Sequence, residues 1–418
     1  MWSDCEGRPR HCGESPPAYA LRPLRLLIVA PFLPDPSAAH GGGSYVGTLC
    51  EALQHHAELG LVAHVRPDEM VHLRTRTWPY RYVAPVEAGE RPRGAQRLAH
   101  QAHMLLRWGL LRQPLVAAKS NSPGMHFAVR KAVAEFAPDA ALLELAQSAQ
   151  FLPDLGNLPT ILTDHEAGVP ANTRTDLGAW ADQRDRRLWR GYVQRYYPRA
   201  SLLQAVTEED ARELAAMLGR AVEVRPPVVQ VPEHPVARLG TPPRVLFFGS
   251  YRHDPNPEAA AIVARKILPR IRAVLPTAEL WLAGPDSDRI AVLADLPGVC
   301  VVGFQPDLKA MLAQVRLVLT PMYSGGGFRM KSLSALAHGV PVVTNALGAR
   351  GLRVPMPARV VAESYDDLAA AAVALLRDEN AAAVAGRAAH AFAQQHLAPA
   401  AVAKLQIERV QALLAARQ

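Results

Sequence analysis

The chain has 418 residues, 49% hydrophobic and 20% charged, with 46 Lys and Arg against 38 Asp and Glu for a formal net charge of +8. That length exceeds one ordinary core and predicts two domains, the composition is globular, and no apolar run approaches the ~20 residues that span a bilayer. The positive balance favours anionic partners without choosing among nucleotides, nucleic acid and acidic lipid, and four cysteines without paired zinc-ligand spacing fit a reducing, cytoplasmic setting.

Residues 1–22 are polar, contain Gly and Pro, lack periodicity and read as a disordered leader. Order begins with RLLIVAPF, residues 25–32, a continuous apolar run of the kind buried on both faces of a parallel sheet. Pro34 closes it, and without a small-residue cleavage site it is no signal peptide. His40-Gly41-Gly42-Gly43-Ser44 then forms a glycine turn into a helical pattern over 45–59.

Two arginine-rich stretches follow, 91–113 and 184–199. In the first, Leu98, Ala102, Leu105 and Gly109 share one helical face while Arg93, Arg97 and His100 lie elsewhere. Such an amphipathic basic helix lies either on an anionic membrane or with its apolar side on the core. No recognisable nucleic-acid module surrounds the aromatic residues of the second stretch, so no nucleic-acid partner is expected. Apolar runs at 140–145 and 160–162 predict further strands, the latter running into Asp164-His165-Glu166. The proline-dense segment 226–243 can continue neither a helix nor a central strand. It is the expected linker between an N-terminal domain, 23–225, and a C-terminal domain, 244–418, that ends in helices.

The second half alternates more clearly, with strands at 245–248, 280–283, 299–302, 317–322 and 340–344 and helical patterns at about 258–275, 307–314, 328–338 and 365–378. Such alternation predicts an α/β fold with doubly wound parallel sheets, whose ligands bind beyond the carboxyl ends of the strands. Gly249-Ser250, Gly284, Gly303-Phe304, Gly325 to Gly327 and Gly348 would line one rim, facing Gly41 to Gly43 and His165 on the other, so the cleft between the domains is the expected active site. The segment SGGGFRMKSLSALAHGVPVV, 324–343, reads as three glycines leading into a helix that carries Arg329 and Lys331. Glycines admit an anion to backbone N–H groups, and a helix N-terminus adds about half a positive charge. The other reading is a tight turn with solvated basic residues.

FFGSYRHDPNPEAA (247–260), WLAGP (281–285), VVGFQPDL (301–308), the 324–343 segment and TNALGARGL (344–352), in that order and spacing, resemble glycosyltransferase family four. The resemblance implies a retaining, metal-independent enzyme of the GT-B fold, two Rossmann-like domains with a nucleotide-sugar donor held mainly by the C-terminal one. It implies that Arg329 and Lys331 hold the donor diphosphate, with Ser250, Asn256, Gly325 and Gly327 in the same site. Backbone around Gly303 and Phe304 would meet the base, the Gly42-Gly43 loop would approach phosphate and sugar, and His165 matches the active-site histidine of the N-terminal domain. No cofactor is implied beyond the nucleotide sugar as co-substrate. The acceptor is left open among a polysaccharide, a lipid-linked saccharide and a small molecule.

The sequence also departs from that family. Gly326 and Ser334 stand where many members carry two glutamates separated by seven residues, the second of which holds the ribose hydroxyls. A serine hydroxyl replaces a charge-assisted bond with a neutral one roughly half as strong. Lys331 and Ser334 are three apart and share a helical face, so they pair as diphosphate and ribose contacts, while Arg329 diverges toward a structural role. Arg350 stands at the usual Glu of a GAEGL-like segment, a reversal that either favours an acidic sugar or acceptor or is surface variation. A catalytically silent binding protein and a nucleotide-sugar 2-epimerase-like isomerase of the same architecture are the competing functions.

Overall fold

The computed structural model describes residues 22–38, 41–88, 95–166, 178–237, 240, 242–252, 255–324, 329–353 and 358–417, with the side chains of 95–100 excepted. The first sheet holds β1 (Arg25–Ala30), β2 (Glu58–Val65), β3 (Tyr80–Glu87), β4 (Ala140–Glu144), β5 (Thr160–Asp164), β6 (Leu202–Ala205) and β7 (Glu223–Val224), in the order β3-β2-β1-β4-β5-β6-β7. The second holds β8 (Arg244–Phe248), β9 (Glu279–Ala283), β10 (Val299–Gly303), β11 (Leu317–Leu319), β12 (Val342–Thr344) and β13 (Arg359–Val361), in the order β10-β9-β8-β11-β12-β13. Every pairing is parallel. Both sheets are therefore doubly wound, with the chain reversing direction beside β1 and beside β8.

The apolar runs read as they do because both faces are covered. Leu27 and Val29 pack with Phe136 and Trp189 on one side of the first sheet, whereas Leu26 and Ile28 pack with Tyr45, Leu49 and Leu53 on the other. In the second sheet Val245 and Phe247 face Ile267 and Leu280, while Leu246 faces Val318, Leu333 and Leu336.

Two predicted boundaries are corrected. The first helix runs Gly41–Leu53, so the glycines form its opening turn, and the pattern expected to reach 59 breaks into a turn before β2 begins at Glu58. Glu58 N–H already bonds Leu24 C=O at 2.8 Å, which starts the ladder. The strand expected over 317–322 ends at Leu319, because Pro321 has no N–H to continue it.

The linker passes between cores within two residues, Val228 packing in the N-terminal domain and Val229 in the C-terminal one. The last helix, Pro399–Ala415, crosses back: although it follows the second sheet in sequence, Val402, Ala403, Ile407 and Val410 pack with Tyr45, Leu49 and Leu53. Among the described residues no helix is long and apolar enough to cross a membrane.

Candidate active site between the two domains

Gly249, Gly284, Gly303 and Gly348 follow or end β8, β9, β10 and β12, so the C-terminal domain presents its glycines along one rim, as expected. Two of them are demanded by close approach. A Cβ on Gly284 would lie 2.1 Å from the carbonyl oxygen of Gly249, and one on Gly249 would lie 2.9 Å from Asn256 Nδ2 and 3.3 Å from Lys331 Nζ. Both glycines also adopt positive φ, +139° and +150°. Phe304, just beyond β10, is 66% exposed at this rim.

Lys331 lies in the first turn of the helix Met330–Ala337, its ammonium over the Phe247 ring of β8. Its Nζ donates to Asn256 Oδ1, stands 4.5 Å from the centre of the Phe247 ring and reaches Met322 Sδ at 4.0 Å. Asn256 is itself fixed, its Nδ2 donating to Ser250 C=O at 2.7 Å. The ring face attracts the cation but cannot replace its hydration. Burial, and secondly the neighbouring Arg329, push the ammonium down to about 7. A cation at a helix N-terminus with so little counter-charge is poised for an anion.

Arg329 is the residue that precedes this helix and is buried to 7% exposure. Burial and Arg350 lower its pKa, while Glu166 and Asp210 of the other domain oppose them. It thus belongs to a charge cluster shared with acids of the N-terminal domain. Across the cleft stands the N-terminus of the helix Gly41–Leu53, where a Cβ on Gly41 would lie 3.9 Å from Met330 Cγ. Two helix N-termini therefore converge on the same space. Gly42 and Gly43 occupy the opening turn of the first, Gly43 buried. Ser334 is half-buried one turn along the second, its carbonyl accepting from His338 Nδ1 at 2.7 Å.

His165 directly follows β5 and is 9% exposed. Its Nε2 bonds Glu144 Oε2 at 3.0 Å, and its ring meets Tyr45 edge-on at 5.2 Å. Glu144 ends β4 and also accepts two bonds from Arg225, at 2.6 and 2.7 Å, while Arg225 Nε donates to the Tyr45 hydroxyl at 3.1 Å. Burial raises the Glu144 carboxyl, but Arg225 and His165 outweigh it and bring it to about 2. The fully buried Arg225 immediately precedes the proline-rich stretch, so one network ties the histidine to the start of the linker. Asp164 is structural: it accepts from Glu166 N–H at 2.9 Å and from the Tyr197 hydroxyl at 2.5 Å, and burial still raises it to about 6.

The reversed charge at Arg350 has its own partner. Arg350 pairs at 3.0 Å with Asp210, and Arg353 pairs with Glu208, both acids lying in the first turn of the N-terminal domain's helix Glu208–Leu218. Behind these pairs the domains border a cavity of about 550 Å³ on the linker side, edged by Thr207, Glu208, Pro226, Arg353, Arg359 and His396. Neither Lys331 nor His165 lines it.

Residues 242–378 match the family model of glycosyl transferases group 1. No curated protein sequence matches the chain. Sucrose-phosphate synthase from Thermosynechococcus elongatus superposes with a TM-score of 0.65 at 17% identity, over 94% of this chain and 100% of that one. HepE of Anabaena, in complex with UDP, gives 0.63 at 14% identity over 93% and 100%. TarM of S. aureus gives 0.63 at 10% identity over 94% and 98%. The fold is GT-B. At such identities the likeness to these structures establishes architecture, and the family match covers residues 242–378, a part of the C-terminal half of this GT-B chain.

The expected site residues Ser250, Asn256, Gly303, Phe304, Lys331 and Ser334 thus sit at or beside one rim, with Gly42, Gly43 and His165 at the other. Gly325 and Gly327 lie outside the described residues, as do Gly326 and the 1–21 segment. Among the described residues no group of three or more His, Cys, Asp or Glu is placed to hold a metal ion. Sequence reasoning missed Glu144, Arg225, Tyr45 and Asp210. An acid closing the buried run AALLE was the one local signal for Glu144.

Proposed function

We propose that the protein is a glycosyltransferase that binds a nucleotide-sugar donor on the C-terminal rim and passes the sugar, with retention at the anomeric carbon, to an acceptor presented by the N-terminal domain. The observation that carries this reading is the half-buried Lys331 ammonium at a helix N-terminus that meets a second helix N-terminus across the cleft. Departure of the sugar leaves a diphosphate with an extra negative charge. A fixed cation and oriented N–H groups in a partly desolvated cleft stabilise that charge without reorganising. Lys331 and the backbone around it bind the diphosphate, Arg329 tunes Lys331 and joins the domains, and Ser334 meets the ribose. His165, fixed through Nε2 by Glu144, orients the sugar.

The HepE structures hold UDP and UDP-glucose, which makes uridine the first base to try for this chain. Thermal-shift titration with UDP, GDP, ADP and dTDP should single out one diphosphate, and the matching nucleotide sugars should then release it in the presence of acceptor saccharides. If no nucleotide raises the melting temperature, the donor site is wrong. Product analysis with donor alone separates transfer from isomerisation, because an epimerase needs no acceptor.

A further inference from the structure

We infer that the corner of the N-terminal domain formed by the end of the helix Ala95–Gly109 and the helix Ala179–Tyr196 is a docking surface for a bilayer containing anionic lipid. Where this helix is described, it buries Met104 and Trp108, yet Ala102, Leu105 and Gly109, the face that an ordinary surface helix would turn inward, are exposed. Leu106 is exposed as well, and Leu110 and Leu111, in the turn that follows, are 74% and 59% exposed. Trp180 adds a fifth large apolar side chain at 69%.

These groups form one patch. The Arg184 guanidinium donates to the carbonyls of Trp108 and Gly109 at 3.4 and 3.1 Å and lies 4.7 Å from the Trp108 ring centre, while Trp180 meets Trp108 edge-on at 5.9 Å. An isolated exposed leucine needs no explanation, but an apolar cluster at one corner does.

The neighbouring helix supplies the charge. It turns Ala181, Asp185, Trp189, Tyr192 and Val193 inward, and Asp185 Oδ1 accepts from Trp108 Nε1 and Leu115 N–H at 3.0 and 2.9 Å. Its exposed residues include Arg186, Arg187, Arg190 and Arg195, with no acid among them. Leucine and tryptophan side chains beside a cationic face match an interface whose surface is anionic and whose interior is apolar. A second copy of this chain fits worse, because a two-fold contact would bring cationic face toward cationic face.

The inference does not depend on the glycosyltransferase reading, and its test is binding to vesicles. The protein should sediment with phosphatidylcholine vesicles containing phosphatidylglycerol at low salt, much less with pure phosphatidylcholine, and less as salt rises. Leu110→Ser with Leu111→Ser should weaken partitioning by roughly tenfold, and Arg186→Gln, Arg187→Gln and Arg190→Gln by roughly fivefold each. All these side chains are exposed, so melting temperature and nucleotide affinity should stay at parental values. The Trp180→Phe variant should lose a vesicle-induced blue shift that the parent shows. Protein that stays in the supernatant with anionic vesicles at low salt, or binds them equally with Leu110 and Leu111 replaced, overturns the inference. So does a dimer in sedimentation velocity that those replacements dissolve.

Discussion

Burial and, secondly, Arg329 bring the pKa of the Lys331 ammonium down to about 7 from an ordinary 10.5. A bound diphosphate raises that pKa, and binding above pH 7 must take a proton from solvent. Nucleoside diphosphate affinity should therefore fall as pH rises above 7, by up to about tenfold per pH unit. Calorimetry at pH 8 in buffers of different ionisation enthalpy should show uptake of about one proton, lost in Lys331→Ala. Buffer-independent heats with a flat pH profile would remove Lys331 from the diphosphate site. The unfolded chain protonates this lysine below about 10.5, so its burial costs stability that grows as pH falls from there toward 7. Lys331→Met should accordingly melt higher than the parent at pH 7 while losing nucleotide. Glu144 has the opposite balance. Glu144→Ala strands the fully buried Arg225 and should cost about 3–5 kcal/mol, read from the denaturant midpoint, and a parental midpoint would contradict the buried pair. Lys331 was legible because glycines and a helix start sit within a few residues of it. Glu144 and Arg225 were not, since 81 positions separate them and only the parallel sheet brings them together.

At the scale of elements, the strands next to the candidate donor loop are short, and a side chain extends them. Beyond Leu319 the ladder meets Pro321, and Asn345 takes over: its Oδ1 accepts from Met322 N–H at 3.0 Å and from Gly348 N–H at 2.9 Å, while its Nδ2 donates to Met322 C=O at 2.7 Å. Asn345 thus acts as one more rung between the ends of β11 and β12, and the chain enters the glycine loop from a fixed direction. Asn345→Ala should cost about 1–3 kcal/mol, because it leaves buried backbone groups without partners. It should also weaken nucleotide binding by releasing the backbone at Met322, although Asn345 is assigned no contact with the ligand. Unchanged affinity alongside a lowered melting temperature would confine Asn345 to stability. Such bonds explain which elements could be read in advance. The buried central strands β1, β4, β8 and β9 declare themselves as apolar runs, whereas β7 and β13, with two and three residues, do not. Residues 54–59 mislead because Leu59 continues the apolar pattern of the preceding helix while standing in β2. Only pairing across the sheet decides that region.

For the whole molecule, what matters is how the two sheets are held facing one another. The helix Pro399–Ala415 ties the end of the chain to the N-terminal core, and Arg409 anchors it at the sheet edge by pairing with Glu223 at 2.7 Å and donating to Val224 C=O at 2.9 Å. On the cleft side the contact is ionic, with Arg350 on Asp210 and Arg353 on Glu208. The reversal from glutamate to arginine at 350 therefore has a local cause, an acid of the N-terminal domain waiting for it, and an acidic substrate is not needed to explain it. Asp210 is 1% exposed and burial raises its pKa, so a second carboxylate there would be poorly tolerated. Arg350→Glu should force the domains apart at this point, visible as a larger radius of gyration in solution scattering and a loss of donor turnover. The defect should be greatest above the usual carboxylate range and should ease as pH falls, because protonating either acid removes the repulsion. Adding Asp210→Asn removes one charge and keeps an oxygen for the Thr207 hydroxyl, which now donates to Asp210 at 2.6 Å. The double variant should recover part of the closed form, with a coupling of about 1–3 kcal/mol between the sites. If Arg350→Glu scatters and turns over like the parent, or if the two substitutions simply add, this ionic contact does not hold the cleft, and closure rests on other contacts, the linker and the last helix among them.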